Sequence, residues 1–475
     1  MKLACHAAAI AAAGVLALPA LADGPATAQA AADPPPNVVV VMTDDQRAGE
    51  LRAMRTVRTR LAAEGVSFTR AYATFPLCCP SRATFLTGQY AHNHGVMGNE
   101  WEEGGGYRAF DDAGSLPIAL QRAGYTTAMA GKYMNEYRGP EIPDGWTHWA
   151  ARTNGETLFD YRLNVDGRRV AYGSDPREYQ TDVVARRGAR FIRREAGPRP
   201  FFLWTSFFAP HGESLRGEER WNPRPAPRDR GRFAKLRLPE GPAFDERDVS
   251  DKPSFVRRTP RLTRAQRVDL RWRWRSRQAA LLAVDDAVDT LLGQLRRSGE
   301  LDSTLVVFTS DNGFLMGEHR LEHKEQLYEE AARVPLILSG PGFDGGGEYE
   351  ALAGNIDIAP TILAAAGVEP LREPDGVPLQ ELISDPDAWA GRDLLLETDR
   401  SAAVRTPEWM YAEHRTRSGT ERELYDMRAD PHQLRSLHAD PGYADVRGEL
   451  ADRLDELREC AGAGCRRPQR STMRP

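Results

Sequence analysis

Hydrophobic positions in this chain fall into two patterns that alternate along its length. Asn37-Val-Val-Val-Val-Met42 is a continuous apolar, β-branched run, as a strand buried on both faces requires. Ser303-Thr-Leu-Val-Val-Phe-Thr309 repeats it, Val334-Pro-Leu-Ile-Leu338 makes a third, and Phe201 to Phe208 is another apolar run. Between these, helical patterning covers residues 57–64, 116–123, 181–195, 278–298 and 360–367. Strands alternating with helices predict an α/β fold built on a large, mainly parallel, doubly wound sheet. In such a sheet the ligand sits at the carboxyl ends of the strands. From about Arg392 the texture changes to short strand-like pieces, Leu394–Glu397, Trp409–Ala412 and Glu423–Asp426, followed by a helical stretch over Tyr443–Glu459. We therefore expect a main domain over 37–390 and a small C-terminal α+β subdomain over 391–475.

The first residues read as a secretory signal. Lys2 precedes an apolar run from Ala7 to Leu21, and Ala20-Leu21-Ala22 and Ala26-Thr27-Ala28 offer cleavage after 22 or 28. Residues 29–36 then form a linker. The run is too short and Ala-rich for a membrane span, and no second apolar stretch of ~20 residues follows. The expected location is extracellular or periplasmic. Cysteine usage agrees with export. Removing the signal loses Cys5 and leaves Cys78, Cys79, Cys460 and Cys465. Cys460-Ala-Gly-Ala-Gly-Cys465 suits a local disulfide in an oxidising compartment, the alternative being two free thiols at the terminus. Cys78 and Cys79 are adjacent, and a bridge between them would be strained.

Composition narrows the function classes. With 475 residues, 28% of them charged and a net charge of −5, the chain is not a generic nucleic-acid binder. Only five of the 63 basic residues are lysines: Lys2, Lys132, Lys235, Lys252 and Lys324. A lysine that persists where Arg is otherwise preferred supplies a compact ammonium that Arg cannot. Ser214–Arg277 carries 19 Lys/Arg against 9 Asp/Glu. It reads either as a solvated surface insertion or as an electropositive rim for a polyanionic substrate.

Two of the apolar strands end in acidic groups, Asp44-Asp45 and Asp311-Asn312. These are hard oxygen ligands, suited to Ca²⁺ or Mg²⁺ rather than a soft metal. The most specific segment is Cys78-Cys79-Pro80-Ser81-Arg82-Ala83-Thr84-Phe85-Leu86-Thr87-Gly88. It resembles the signature of the formylglycine-dependent sulfatases, Cys-x-Pro-Ser-Arg-x-x-x-Leu-Thr-Gly. Gly131-Lys132-Tyr133-Met134-Asn135-Glu136-Tyr137, Pro210-His211 and Gly317 to Lys324 resemble later motifs of that family.

The resemblance implies an alkaline-phosphatase-like fold and hydrolysis of sulfate monoesters. It implies that Cys78, not Cys79, is oxidised to Cα-formylglycine by a formylglycine-generating enzyme, and that its hydrate attacks sulfur. Asp44, Asp45, Asp311, Asn312 and residue 78 are the implied ligands of a divalent cation, normally calcium. Arg82 is implied to hold the hydrate and the metal ligands, Lys132 and Lys324 to contact the sulfate, and His211 to act as general acid or leaving-group donor. Most sulfatases carry a His where this chain has Met134. The Gly-Lys-Tyr-x-Asn-Glu-Tyr pattern is similar to the N-acetylglucosamine-6-sulfatase and heparan endosulfatase branch, and Asn135 is expected to fill the vacated space. His92, His94 and His319 read as structural. The expected substrate is a sulfated amino sugar or glycosaminoglycan. An arylsulfatase, a phosphonate or phosphodiester hydrolase, and a glycan-binding pseudoenzyme with unmodified Cys78 are the rivals.

Overall fold

The computed structural model describes residues 34–153, 155–213 and 221–466. The expected signal segment lies outside them, and the described residues from Pro35 onward form one compact unit. Ten of its strands make one sheet in the order β12-β2-β11-β8-β1-β7-β3-β4-β5-β6. In chain order these are β1 Asn37–Thr43, β2 Val66–Tyr72, β3 Thr126–Gly131, β4 His148–Arg152, β5 Arg162–Val165, β6 Arg168–Ala171, β7 Phe201–Ser206 and β8 Thr304–Ser310. A short hairpin, β9 Leu315–Met316 with β10 Glu322–His323, precedes β11 Leu336–Ser339 and β12 Gly347–Gly354. The expected parallel arrangement holds at the centre, where β8, β1, β7, β3 and β4 run together. The flanks are mixed: β11, β5 and β6 pair antiparallel.

Strand β1 explains why the sheet is covered on both faces. Val38, Val40 and Met42 pack into one core layer, and Val39 and Val41 into the opposite one. The first layer takes Phe85 and Leu86 of helix Cys78–Thr87 and Ile358 and Ile362 of helix Ile358–Ala366. The second takes Val184 and Ile192 of helix Gln180–Glu195 and Leu281, Val284 and Leu295 of helix Arg264–Ser298. That last helix begins at Arg264 rather than at the expected Gln278, so it runs out of the basic segment without a break.

The C-terminal region is an antiparallel sheet of β13 Leu394–Glu397, β14 Ser401–Arg405, β15 Trp409–Thr416 and β16 Gly419–Asp426, with helix Ala444–Arg458 packed on it. Tyr90 and Ile356 of the main domain share its core. Cys460 and Cys465 form the expected disulfide. No helix among the described residues is long and apolar enough to cross a membrane.

Candidate active site

Four adjacent parallel strands deliver the candidate residues to one edge of the sheet. Thr43 of β1 stands beside Ser310 of β8, Met42 beside Ser206 of β7, and Ser206 beside Gly131 of β3. The residues that follow these positions are Asp44-Asp45, Asp311-Asn312, Lys132 and, one turn beyond β7, His211. Gly131 is required there: its φ is 119°, and a Cβ on it would sit 1.8 Å from the Ser206 carbonyl oxygen.

Cys78 comes to the same edge as the first residue of helix Cys78–Thr87, entered from extended Leu77 and closed by Gly88 at φ 71°. The helix is buried throughout, and its N-terminus favours an anion. The Cys78 Sγ receives Lys324 Nζ at 2.9 Å and Lys132 Nζ at 3.3 Å, and faces Asp44 Oδ1 at 3.6 Å. The neighbouring Cys79 Sγ accepts the Asn135 N–H at 3.0 Å, which ties the Gly131–Tyr137 segment to the helix.

The site is a buried lattice of opposite charges. Lys132 Nζ lies 2.6 Å from Asp44 Oδ2, and Lys324 Nζ 2.5 Å from Asp45 Oδ1. Arg82, with no solvent exposure, donates to Asp311 Oδ2 at 2.9 Å, to the Lys132 and Tyr133 carbonyls and to Ser206 Oγ. Burial works against ionising Asp44, yet Lys132, His211, Arg82 and Lys324 hold its carboxyl far below the usual range. Burial, with Asp44 beside it, instead raises Asp311 to about 6. Burial is outweighed by Asp44 at Lys132 and by Asp45 at Lys324, so both ammoniums are held above their ordinary value. Burial pushes the Cys78 thiol far up despite both lysines. It also depresses His211 to about 4, against the attraction of Asp44 and Asp45.

The donor set fits a hard divalent cation. Ligand atoms of Asp44, Asp45, Cys78 and His211 all lie within 4.8 Å of one another. Asn312 Nδ2 donates to Asp45 Oδ1 at 2.7 Å, while Asn312 Oδ1 and Asp45 Oδ2 are buried without a hydrogen-bond partner. Unsatisfied buried oxygens are what Ca²⁺ or Mg²⁺ would coordinate. Asp311 is engaged differently: Oδ1 accepts the Asp45 and Asn312 N–H groups and Oδ2 pairs with Arg82. His211 enters the cluster although it was not expected among the ligands; its Nε2 is 3.9 Å from Asp45 Oδ2.

The remaining sequence candidates sort by their contacts. Asn135 stands next to Lys132 in a polar cavity of about 150 Å³. His94 bonds Thr84 and the Val96 N–H, His92 bridges Glu397 and the Cys460 carbonyl, and His319 bonds Glu246. All three hold structure. In the basic segment, Arg224, Arg228, Arg261, Arg267 and Arg273 pair with carboxylates, which favours the surface-insertion reading. Arg277 departs most from expectation. It is buried, pairs with Glu50 and donates to the Asp45 carbonyl at 2.5 Å. Trp221 was also missed; its ring lies 4.5 Å from that of His211.

A hydrolase of sulfuric esters is the class that this sheet edge and this charge lattice define, and the chain belongs to the sulfatase family, whose model matches residues 36–368. A model of the N-sulphoglucosamine sulphohydrolase C-terminal region matches 317–460. Among curated relatives, the N-acetylglucosamine-6-sulfatase of Capra hircus is 31% identical over 91% of this chain and 85% of its own. The Homo sapiens protein of that name is 31% identical over 91% and 86%. The Drosophila melanogaster extracellular sulfatase SULF-1 homolog is 30% identical over 83% of this chain and 34% of its own. The solved structure of BT4656 in complex with its substrate D-glucosamine-2-N,6-O-disulfate superposes with a TM-score of 0.73 at 26% identity, covering 89% of this chain and 97% of that one.

Proposed function

We propose that this chain is an exported sulfatase that removes sulfate from sulfated amino sugars, including those in glycosaminoglycans. The observation that carries this reading is the surround of Cys78. Two ammoniums within 3.3 Å and three carboxylates converge on one helix-terminal position. The relatives named as N-acetylglucosamine-6-sulfatases, and BT4656 with its 6-O-sulfated substrate, support the amino-sugar class.

The thiol itself is unsuited to attack, because reactive cysteines have depressed pKa values and burial raises this one. Conversion of Cys78 to a formylglycine hydrate would supply an oxygen nucleophile, for which Sγ here stands in. Asp44, Asp45 and Asn312, beside Asp311, would hold a divalent cation such as calcium, which would withdraw charge from the ester. Lys132 and Lys324 are the groups that bind the sulfate oxygens and meet the charge that grows on the leaving oxygen. Arg82 sets the angle of Asp311 and of the Lys132 backbone. His211 donates its Nδ1–H to the Gly212 carbonyl at 2.7 Å, which leaves Nε2 toward the cluster. The negative charge of the bound ester would raise the basicity of Nε2, which would take up a proton from solvent and pass it to the leaving oxygen as the S–O bond breaks.

The test has two readouts on protein from the native host. Mass spectrometry of the Cys78 peptide is expected to give the aldehyde, and glucosamine 6-sulfate is expected to release sulfate while the matching phosphate ester releases little phosphate. A plain thiol with no sulfate release would leave a glycan-binding protein without turnover. Preferential release of phosphate or phosphonate would move the activity to another ester.

A further inference from the structure

Trp221 belongs to none of the sequence motifs, yet its indole touches three segments that carry site residues. Its ring centre is 4.5 Å from that of His211, edge to face at 72°. It stacks on Phe314 at 5.5 Å and 20°, and Phe314 lies two residues past Asn312. His323, which immediately precedes Lys324, lies 5.4 Å from the indole and 5.6 Å from Phe314. One side chain therefore joins the segments of His211, Asn312 and Lys324.

The indole is itself held. It packs against the core cluster of Phe314, Met316 and Trp274. Beside it the Glu213 N–H donates to the Asn222 carbonyl at 3.4 Å, and Arg224 grips the Glu213 carboxylate with Nε at 2.8 Å and Nη2 at 2.9 Å. That carboxylate also accepts the Leu158 N–H at 2.6 Å. Gly212 completes the fit: a Cβ there would stand 2.4 Å from the indole, so glycine is what lets the ring lie on this backbone.

These contacts decide which way the His211 ring faces. Phe208 packs on the imidazole at 4.5 Å, and Trp221 closes on it from another side. Nδ1–H donates to the carbonyl of Gly212, the residue on which the indole rests. With both rings in place the imidazole keeps the orientation that leaves Nε2 toward Asp45. Without the indole, the ring is free to turn about its Cβ–Cγ bond, and the Nδ1 bond opens to water.

We propose that Trp221 is a positioning residue: it fixes the direction in which His211 presents Nε2 and ties that direction to Lys324, so that one proton donor and one ammonium meet the same leaving oxygen. The inference rests on the sulfatase reading and deepens it. As the S–O bond to the sugar breaks, its electron pair stays on the sugar oxygen, sulfur passes to the nucleophile at residue 78, and the Nε2 proton neutralises that oxygen. A donor misplaced by about 1 Å costs about a hundred-fold in rate.

The kinetic test compares two leaving groups. Trp221→Ala is expected to lower kcat about a hundred-fold on glucosamine 6-sulfate, whose alcohol must be protonated as it leaves, and no more than about threefold on 4-nitrophenyl sulfate, whose phenolate leaves unaided. On the sugar sulfate the bridging oxygen-18 isotope effect should grow, because the proton then lags the breaking bond. Trp221→Phe, which keeps a ring on Gly212, should recover most of the rate. Gly212→Ala, whose Cβ drives the indole away without truncating it, should reproduce the loss, and it carries the same comparisons should Trp221→Ala fail to fold. Equal losses on both esters, a rise in KM alone, or an unchanged isotope effect would overturn the inference and leave Trp221 a packing residue. A second readout needs no turnover. The His211 Nδ1–H, assigned by its loss in His211→Gln, is expected as a slowly exchanging proton in the nitrogen-15 spectrum of the wild type and is expected to be lost to water exchange in Trp221→Ala. Survival of that signal overturns the positioning role whatever the kinetics. Its loss in a protein whose wild type releases no sulfate from either ester keeps the positioning and discards the sulfatase; hydrolysis with the signal unmoved does the reverse.

Discussion

Arg82 sets more of the site's geometry than any other side chain described above. One guanidinium with no solvent exposure holds Asp311, two backbone carbonyls and Ser206 Oγ together. Removing it strands a buried carboxylate, so Arg82→Ala is expected to cost about 3–5 kcal/mol and to abolish sulfate release. At ~2.1 cal/mol/K per residue, a chain of this length loses roughly 1 °C of Tm per kcal/mol. Calorimetry should therefore find a drop of about 3–5 °C, and a Tm unchanged within a degree would refute this account of Arg82. Lys324 is a different case. It sits between two non-glycine residues in left-handed backbone, His323 at φ 76° and Glu325 at φ 65°, a strain that persists where it aims a side chain. Lys324→Ala should lower kcat about 10²–10³-fold at saturating substrate, because the charge it meets grows in the transition state. A rise in KM alone would reduce it to a binding residue. Both site lysines were legible through scarcity, since the chain otherwise prefers Arg. Arg277 was misread for the converse reason: it stands in an Arg-rich run, and its partner Glu50 is far away in sequence.

At the level of elements, legibility followed how completely a strand is buried. β1 and β8 are enclosed on both faces and read as unbroken apolar runs. β3, Thr-Thr-Ala-Met-Ala-Gly, is just as enclosed but small in side chain, and β12 is an edge strand with glycines and glutamates. Neither pattern stands out. The early start of helix Arg264–Ser298 did leave a mark, the reciprocal cap between Thr263 and Gln266, which the run of arginines masked. The short helix Ala91–His94 links the two regions through His92, and its two histidines are shifted in opposite senses. Burial drives His94 down to about 3. At His92 burial is outweighed by Glu397, which raises it. A raised folded-state value means that His92 stabilises fully below its unfolded pKa of about 6.5 and that the gain fades as pH rises through the folded value. Solvent screens this partly exposed pair, so it contributes at most about 1 kcal/mol. His92→Gln is accordingly expected to lower Tm by about 1 °C at pH 5.5 and by less at pH 8.5. The opposite ordering across that window would remove the Glu397 pair as the cause.

For the molecule as a whole, the controlling quantity is the charge of the central site. Three carboxylates face three cations there, with Lys132 paired to Asp44 and Lys324 to Asp45. A divalent cation alone would add charge that Lys132 and Lys324 oppose, and sulfate alone would add charge that Asp44 and Asp45 oppose. Together the two restore balance, with the carboxylates turned to the cation and the ammoniums freed for the anion. Calcium and sulfate should therefore bind with positive coupling, and by linkage each should tighten the other by the same factor. Calcium at a hundred times its Kd should add about 2.7 kcal/mol, or about 3 °C of Tm. Chelation should remove that gain, and replenishing calcium should restore it. With sulfate present as well, the combined Tm rise should exceed the sum of the two separate rises. A strictly additive result would mean that the lysines do not exchange between carboxylate and sulfate, and that the convergence on Cys78 serves stability rather than capture of the ester.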